Sequence, residues 1–177
     1  MTTTKWILDP THSEIQFKVK HLMITTVTGN FRDFSASVET DTDDFINAKI
    51  SFEAQTSSID TNQTDRDNHL RSADFFDVEK FPVLKFESQK MEKTPDNAIE
   101  LTGILTIKDV SKPVKLEVEY VGITKDPWGN TKAGFSLSGK INRKEWNLNW
   151  NATLETGGLL VSDEVRILCE VQLSKKA

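Results

Sequence analysis

The residues of this 177-residue chain that could do chemistry are three histidines, one cysteine and the polar run Asp65-Arg66-Asp67-Asn68-His69. His12 stands beside Ser13 with Asp9 three positions earlier, so a hydrolytic nucleophile, base and orienter can be assembled on paper, with Asp67 as a second orienter. The strand-to-helix Gly-x-Ser-x-Gly elbow that would present such a serine is missing. His12, His21 and His69 show neither the i, i+4 nor the alternating spacing of zinc ligands, and Cys169 is the single cysteine. No metal site, cofactor or internal disulfide is expected. Cys169 shares a face with Val165, Ile167 and Val171, which suits a small buried apolar residue. Arg66 between two carboxylates is, in its ordinary reading, a local ion pair that fixes a loop.

Composition narrows the partners. The formal charge is −5 and no run of Lys or Arg forms a phosphate-binding stripe, so nucleic acid is not expected to bind. Apolar runs fall far short of the roughly 20 residues that span a bilayer as a helix. The first residues lack the apolar stretch of about 7–15 residues of a secretory leader. A cytoplasmic location is expected if the sequence is full length, and a periplasmic one if a signal has been removed.

The elements that must position these side chains are strands. Ile99, Leu101, Gly103, Leu105 and Ile107 alternate with Glu100, Thr102 and Thr106, which is period two with one wet face. The same pattern runs through Ile15/Phe17/Val19, Phe34/Ala36/Val38, Ala48/Ile50/Phe52/Ala54, Leu84/Phe86, Val114/Leu116/Val118/Tyr120, Ala133/Phe135/Leu137/Gly139/Ile141, Trp146/Leu148/Trp150 and Val165/Ile167/Cys169/Val171/Leu173. Turn chemistry is read at Thr28-Gly29-Asn30, Asp41 to Asp44, Thr94 to Asn97, Asp109 to Pro113, Asp126 to Asn130 and Gly157-Gly158. A short helix or ordered loop is expected near residues 62–76. No repeat or linker divides the chain, so residues 1–177 are read as one domain.

An all-β chain with no covering helix buries its apolar faces by closing the sheet into a barrel of about eight strands or by facing two sheets together. Alternation alone does not choose between a barrel and a sandwich.

Blocks of sequence spread along the chain resemble the YceI-like family. They are Trp6-x-x-Asp9-Pro10-x-His12-Ser13-x-Ile15-x-Phe17-x-Val19-x-His21-Leu22 with Val27-x-Gly29-x-Phe31, then Ser58 to Thr61, Arg66 to Leu70, Asp74 to Asp77 and Phe81-Pro82-x-Leu84-x-Phe86. Gly103-x-Leu105-Thr106-Ile107, Val110 to Val114, Ile141 to Lys144 and Gly158 to Val165 complete the match. Asp109, where the family commonly has glycine, and Glu145-Trp146-Asn147, where it commonly has Asp-Phe-Gly, depart from it. The resemblance implies an extended, lipocalin-like antiparallel barrel whose tunnel holds a polyisoprenoid, an isoprenoid quinone, a fatty-acid derivative or another long-chain lipid, often as a homodimer.

Within that frame Phe17, Val19, Phe31, Phe52, Phe86, Leu105, Phe135 and Leu137 are candidate tunnel residues, against the ordinary reading of each as core packing. Arg66 and His69 are candidates to orient a polar headgroup at the barrel mouth, and Arg143 carries the same pair of readings. Trp128, in the Asp-Pro-Trp-Gly-Asn turn, is expected to anchor the turn, to rim the tunnel or to form a dimer contact. Non-enzymatic carriage or sequestration of the lipid is the leading function. The alternatives are a lipid-modifying enzyme using His12 or His69, and a fully packed barrel that binds another protein.

Overall fold

The computed structural model describes residues 3–41, 44–96, 98–152 and 160–176. It contains the strands β1 (Thr3–Leu8), β2 (Glu14–His21), β3 (Thr25–Phe31), β4 (Phe34–Asp41), β5 (Asp44–Gln55), β6 (Ile59–Asp60), β7 (Val83–Lys93), β8 (Ile99–Ile107), β9 (Val110–Lys125), β10 (Thr131–Asn142) and β11 (Val161–Lys175), with one helix, α1 (Thr64–Arg71). All pairings are antiparallel.

Closure, which alternation left open against a sandwich, is made by β11. On one side β11 pairs with β10; on the other it pairs first with β2, from Val161↔His21 to Glu170↔Glu14, and then with β1, from Leu173↔Leu8 to Lys175↔Trp6. β1 and β2 are therefore one stave broken in the middle. β3 with β4 and β5 with β6 are broken staves in the same way, since β3 pairs with β2 and β6 while β4 pairs with β1 and β5. With β7 to β11 the result is a closed antiparallel barrel of eight staves, which leaves no continuous sheet edge.

The break between β1 and β2 is a 3-10 turn, Pro10–His12, capped by Asp9. The Asp9 carboxylate accepts from Thr11 N at 3.0 Å and Thr11 Oγ1 at 2.7 Å, and lies 3.0 Å from His12 Nδ1. These bonds, led by the Thr11 hydroxyl, hold the Asp9 pKa down at about 2 against a partial opposing effect of burial. Ser13 Oγ accepts from Gln172 N of β11 at 3.0 Å. His12 and Ser13 thus bond to different partners, and the pairing that a hydrolase reading would need does not form.

One end of the barrel is plugged by aromatic rings. Phe45 lies 4.8 Å from Phe135, 5.1 Å from Trp6 and 6.1 Å from Tyr120, measured between ring centroids. Trp6 is fully buried and donates to Thr40 Oγ1, so its one polar atom is satisfied. The opposite end carries α1, the β2–β3 turn and the 3-10 turn Arg143–Trp146.

Several local readings are corrected. Thr28-Gly29-Asn30 lies inside β3, not in a turn; Gly29 is there because the Phe17 ring covers it, and a Cβ at that position would sit 2.2 Å from the ring. Trp146, Leu148 and Trp150 do not form a strand: residues 143–146 are a 3-10 turn that ends at Asn147 with φ +61°. The turn assigned to Asp109 to Pro113 is only Lys108-Asp109, both with positive φ, and Pro113 lies within β9 opposite Ile104. A positive φ explains why glycine suits position 109. Gly157-Gly158 lies outside the described residues.

Candidate functional site

α1 forms where the sequence suits a helix start. Gln63 accepts from Arg66 N, Asp65 and Asp67 sit in the first turn, and His69 and Arg71 sit in the last, each sign facing the favourable pole of the helix dipole. Its buried residue is polar: Asp67 accepts from Thr61 N at 2.8 Å and from Thr61 Oγ1. α1 therefore sits on the barrel as a polar cap held by hydrogen bonds.

Beneath this cap lies a cavity of about 650 Å³. Phe17, Val19, Phe31, Phe52, Phe86, Leu105, Phe135 and Leu137 all border it, and so do Arg66 and His69. The interior is thus not fully packed. Apart from Gln16, the polar residues that border it gather at the α1 end: Thr61, Gln63, Asp65, Arg66 and His69, with Lys20 and His21 of β2 and Arg143 of the 3-10 turn. Gln63, Asp65 and Lys20 are also exposed, so the cavity reaches solvent there.

Arg66 does not form the expected ion pair with Asp65 or Asp67. Its Nε donates to Thr61 Oγ1 at 2.7 Å and its Nη2 to Thr61 O at 2.6 Å, which fixes the guanidinium at the rim. His69 Nε2 lies 2.8 Å from Asp74 Oδ2, and its ring meets Trp150 and Phe75 edge-on at 4.6 and 5.1 Å. Its neighbours position it as a fixed polar group beside aromatic walls. His12, by contrast, does not border the cavity and its side chain is 64% exposed. Trp128 is 83% exposed in the β9–β10 turn and does not border the cavity either.

Three contributors went unseen in the sequence. Phe45 closes the plugged end, and Phe76 packs edge-on against Phe31 at 5.8 Å; only aromatic type could have drawn attention to Phe45, whereas Phe76 lies in the Asp74 to Asp77 block shared with the family. The third is the depth of Arg143, which is 3% exposed yet borders the cavity. It donates to the carbonyls of Ser162 at 2.9 Å, Val161 at 3.4 Å and Leu148. Desolvation draws its pKa below the usual arginine value, partly offset by Asp163. Among the described residues, no group of three or more His, Cys, Asp or Glu side chains could hold a metal ion.

Cys169 borders the cavity from β11 and keeps part of its surface there, while its apolar surroundings push the thiol pKa up to about 12. At pH 8 only about one thiol in ten thousand would be ionised, against roughly a quarter of ordinary thiols. Native protein is therefore expected to react with iodoacetamide at least about a hundredfold more slowly than unfolded protein. Equal rates in mass-spectrometric labelling would show that the thiol does not sit in that environment.

Fold and cavity together define a lipocalin-like barrel with an apolar interior and one polar end. The family model for the YceI-like domain matches residues 6–173, and the chain belongs to the YceI-like family. A UPF0312 protein of Staphylococcus epidermidis is 38% identical over 172 residues, covering 97% of this chain and 98% of that one. The crystal structure of the Campylobacter jejuni YCEI protein superposes with a TM-score of 0.76 at 36% identity, covering 89% of this chain and 90% of that one. A polyisoprenoid binding domain from Saccharophagus degradans shares the fold, with a TM-score of 0.67 at 12% identity over 97% of this chain and 98% of that one.

Proposed function

We propose that this protein binds a long-chain apolar or amphiphilic molecule, such as a polyisoprenoid, an isoprenoid quinone or a fatty-acid derivative, and carries or sequesters it without chemical change. The observation that carries this reading is the cavity itself: about 650 Å³, walled by aliphatic and aromatic side chains, plugged at one end and polar at the other. That volume lies within the range of small-molecule sites. A tail lies along the barrel and a polar headgroup sits beneath α1, near Arg66 and His69. Each buried CH₂ contributes about 0.8 kcal/mol, so ten carbons supply about 8 kcal/mol before ordering costs, the whole of a micromolar affinity, and the further carbons of a longer tail offset those costs without a strong polar anchor. The polyisoprenoid-binding neighbour of the same fold supports this class of ligand.

Native mass spectrometry and organic extraction of the purified protein test the proposal. A stoichiometric long-chain passenger is expected, and Arg66→Ala is expected to weaken discrimination between headgroups while leaving tail length unchanged. A protein that carries no passenger and takes up none of a series of long-chain alcohols would be a protein-interaction module instead. Conversion of the passenger, lost on His69→Ala, would make it an enzyme.

A further inference from the structure

Exposed apolar side chains of the β2–β3 turn lie immediately beside the polar end of the cavity. Leu22, Met23 and Ile24 are consecutive and 37%, 60% and 77% exposed. Ile24 N donates to His21 O at 3.2 Å, and the two central residues, Leu22 and Met23, have φ of +55° and +60°. A hairpin turn with positive φ at both central positions favours Asn-Gly, and Leu-Met is a poor choice for it. The tip therefore breaks two local rules at once, in turn chemistry and in exposure, and such conflicts concentrate where a segment has work other than folding. Val19 and His21, directly below the tip, border the cavity.

Charge on the adjoining wall is arranged in bands. Arg166 of β11 stands directly opposite Lys140 of β10 and Lys18 of β2, so three cations lie side by side across three strands. Their neighbours Ile141, Val165, Ile167, Phe17 and Val19 border the cavity, which places the cations on the outer face. Like charges opposite one another destabilise a sheet. Glu164 lies 4.0 Å from Lys140 and tempers the band, whereas Asp163 lies 3.4 Å from Lys144 and 4.0 Å from Arg143, outside the row. Two rows further from the tip the same face turns acidic: Glu170 stands opposite Glu14 and Ser136, and Ser136 opposite Glu119. In a chain of net charge −5, three cations of this wall stand in one row toward the end that carries the apolar tip, while Lys132, at the far end of β10, is engaged by Ser174 and Asp9.

We propose that the Leu22–Ile24 tip and the Lys18/Arg166/Lys140 row dock the open end of the barrel onto an anionic lipid bilayer. The inference rests on the lipid-carrier reading above and adds the surface with which the carrier exchanges its cargo. The apolar tip enters the headgroup–acyl boundary while the cations face the lipid phosphates, and the acidic band keeps the opposite end of this wall turned away. Docked in this way, the opening beneath α1 lies against the bilayer, and a long apolar chain passes between membrane and barrel without crossing water.

Flotation of the full chain with phosphatidylcholine vesicles, with and without phosphatidylglycerol, tests the proposal. Association is expected with the anionic vesicles alone and should weaken with salt. The double substitution Leu22→Asn with Met23→Gly should raise the melting temperature, because it suits the turn, yet reduce vesicle partitioning about tenfold or more. Lys18→Gln with Arg166→Gln should do the same through charge. Both variants should take up a pyrene-labelled long-chain alcohol from ethanol at the wild-type level and from anionic vesicles more slowly. A wild-type protein that carries a passenger but ignores anionic vesicles leaves the carrier function standing and overturns the docking. Docking is also overturned if the tip variant binds vesicles normally, or if the tip proves to mediate a concentration-dependent dimer in light scattering without vesicle binding.

Discussion

Replacing Gly29 by alanine is expected to shorten the longest chain the barrel accepts. Phe17 faces Gly29 across the β2–β3 ladder and lays its ring over it, with three ring carbons 2.2 to 2.8 Å from where a Cβ would stand. No real Cβ tolerates that approach, and all three clashing atoms are the far end of a rotatable side chain. The ring must leave the wall, and the free space available to it is the cavity that Phe17 already borders. Gly29→Ala should therefore fold with a modest loss, on the order of 1–3 kcal/mol, and shift uptake across a series of long-chain alcohols toward shorter members. Adding Phe17→Leu to Gly29→Ala should restore the longer chains, because the smaller side chain clears the lumen. If folded Gly29→Ala keeps the wild-type length profile, the tail does not pass Phe17.

Loss of Arg143 is expected to be the most destabilising single change at the polar end. Its guanidinium donates to three backbone carbonyls, at Leu148, Val161 and Ser162, and so ties the loop after the 3-10 turn to the start of β11. Arg143→Met keeps most of the volume but leaves those carbonyls without their donor, at about 3 kcal/mol or more in total. For a chain of this size that corresponds to a fall of about 6–12 °C in melting temperature. Arg143→Lys keeps the charge but not the planar fork and should fall between the two. Calorimetry decides: a melting temperature for Arg143→Met within about 2 °C of wild type would show that water satisfies the carbonyls and that the arginine is not a structural tie.

These two residues also show what local sequence can reveal. Gly29 followed by Asn30 has the chemistry of a turn, and the reason for the glycine, a ring lying across from the neighbouring strand, exists only once β2 and β3 have paired. Arg143 belongs to the Ile141–Lys144 block shared with the family, but its burial depends on carbonyls from the loop beyond it and from β11. By contrast, most of the strand positions that border the cavity were legible, because period two assigns a face without knowledge of the partner strand; Phe45 and Phe76 were not. The helix was legible within the 62–76 window, because the polar run is bounded by strand patterns on both sides. Closure was legible only through the family resemblance, since a sandwich satisfies the same alternation. The β2–β3 turn was not legible: Leu22-Met23-Ile24 contains none of the residues that turns usually employ.

The way the barrel closes also sets an order of events in time. Its last seam joins Trp6 to Lys175 and Leu8 to Leu173, positions separated by almost the whole chain. β11 is also the partner of β2, so the first two strands lack their ladder on that side until the final strand has been made. Loop-closure entropy has to be met before such distant pairings give anything back, and all-β chains dominated by them fold in milliseconds to seconds. Until the seam zips, the apolar faces of the early strands stand open to water and to other chains, and no enclosed interior exists to receive a passenger. On the binding reading proposed above, a long apolar chain therefore enters a finished barrel, or enters as β11 seals it.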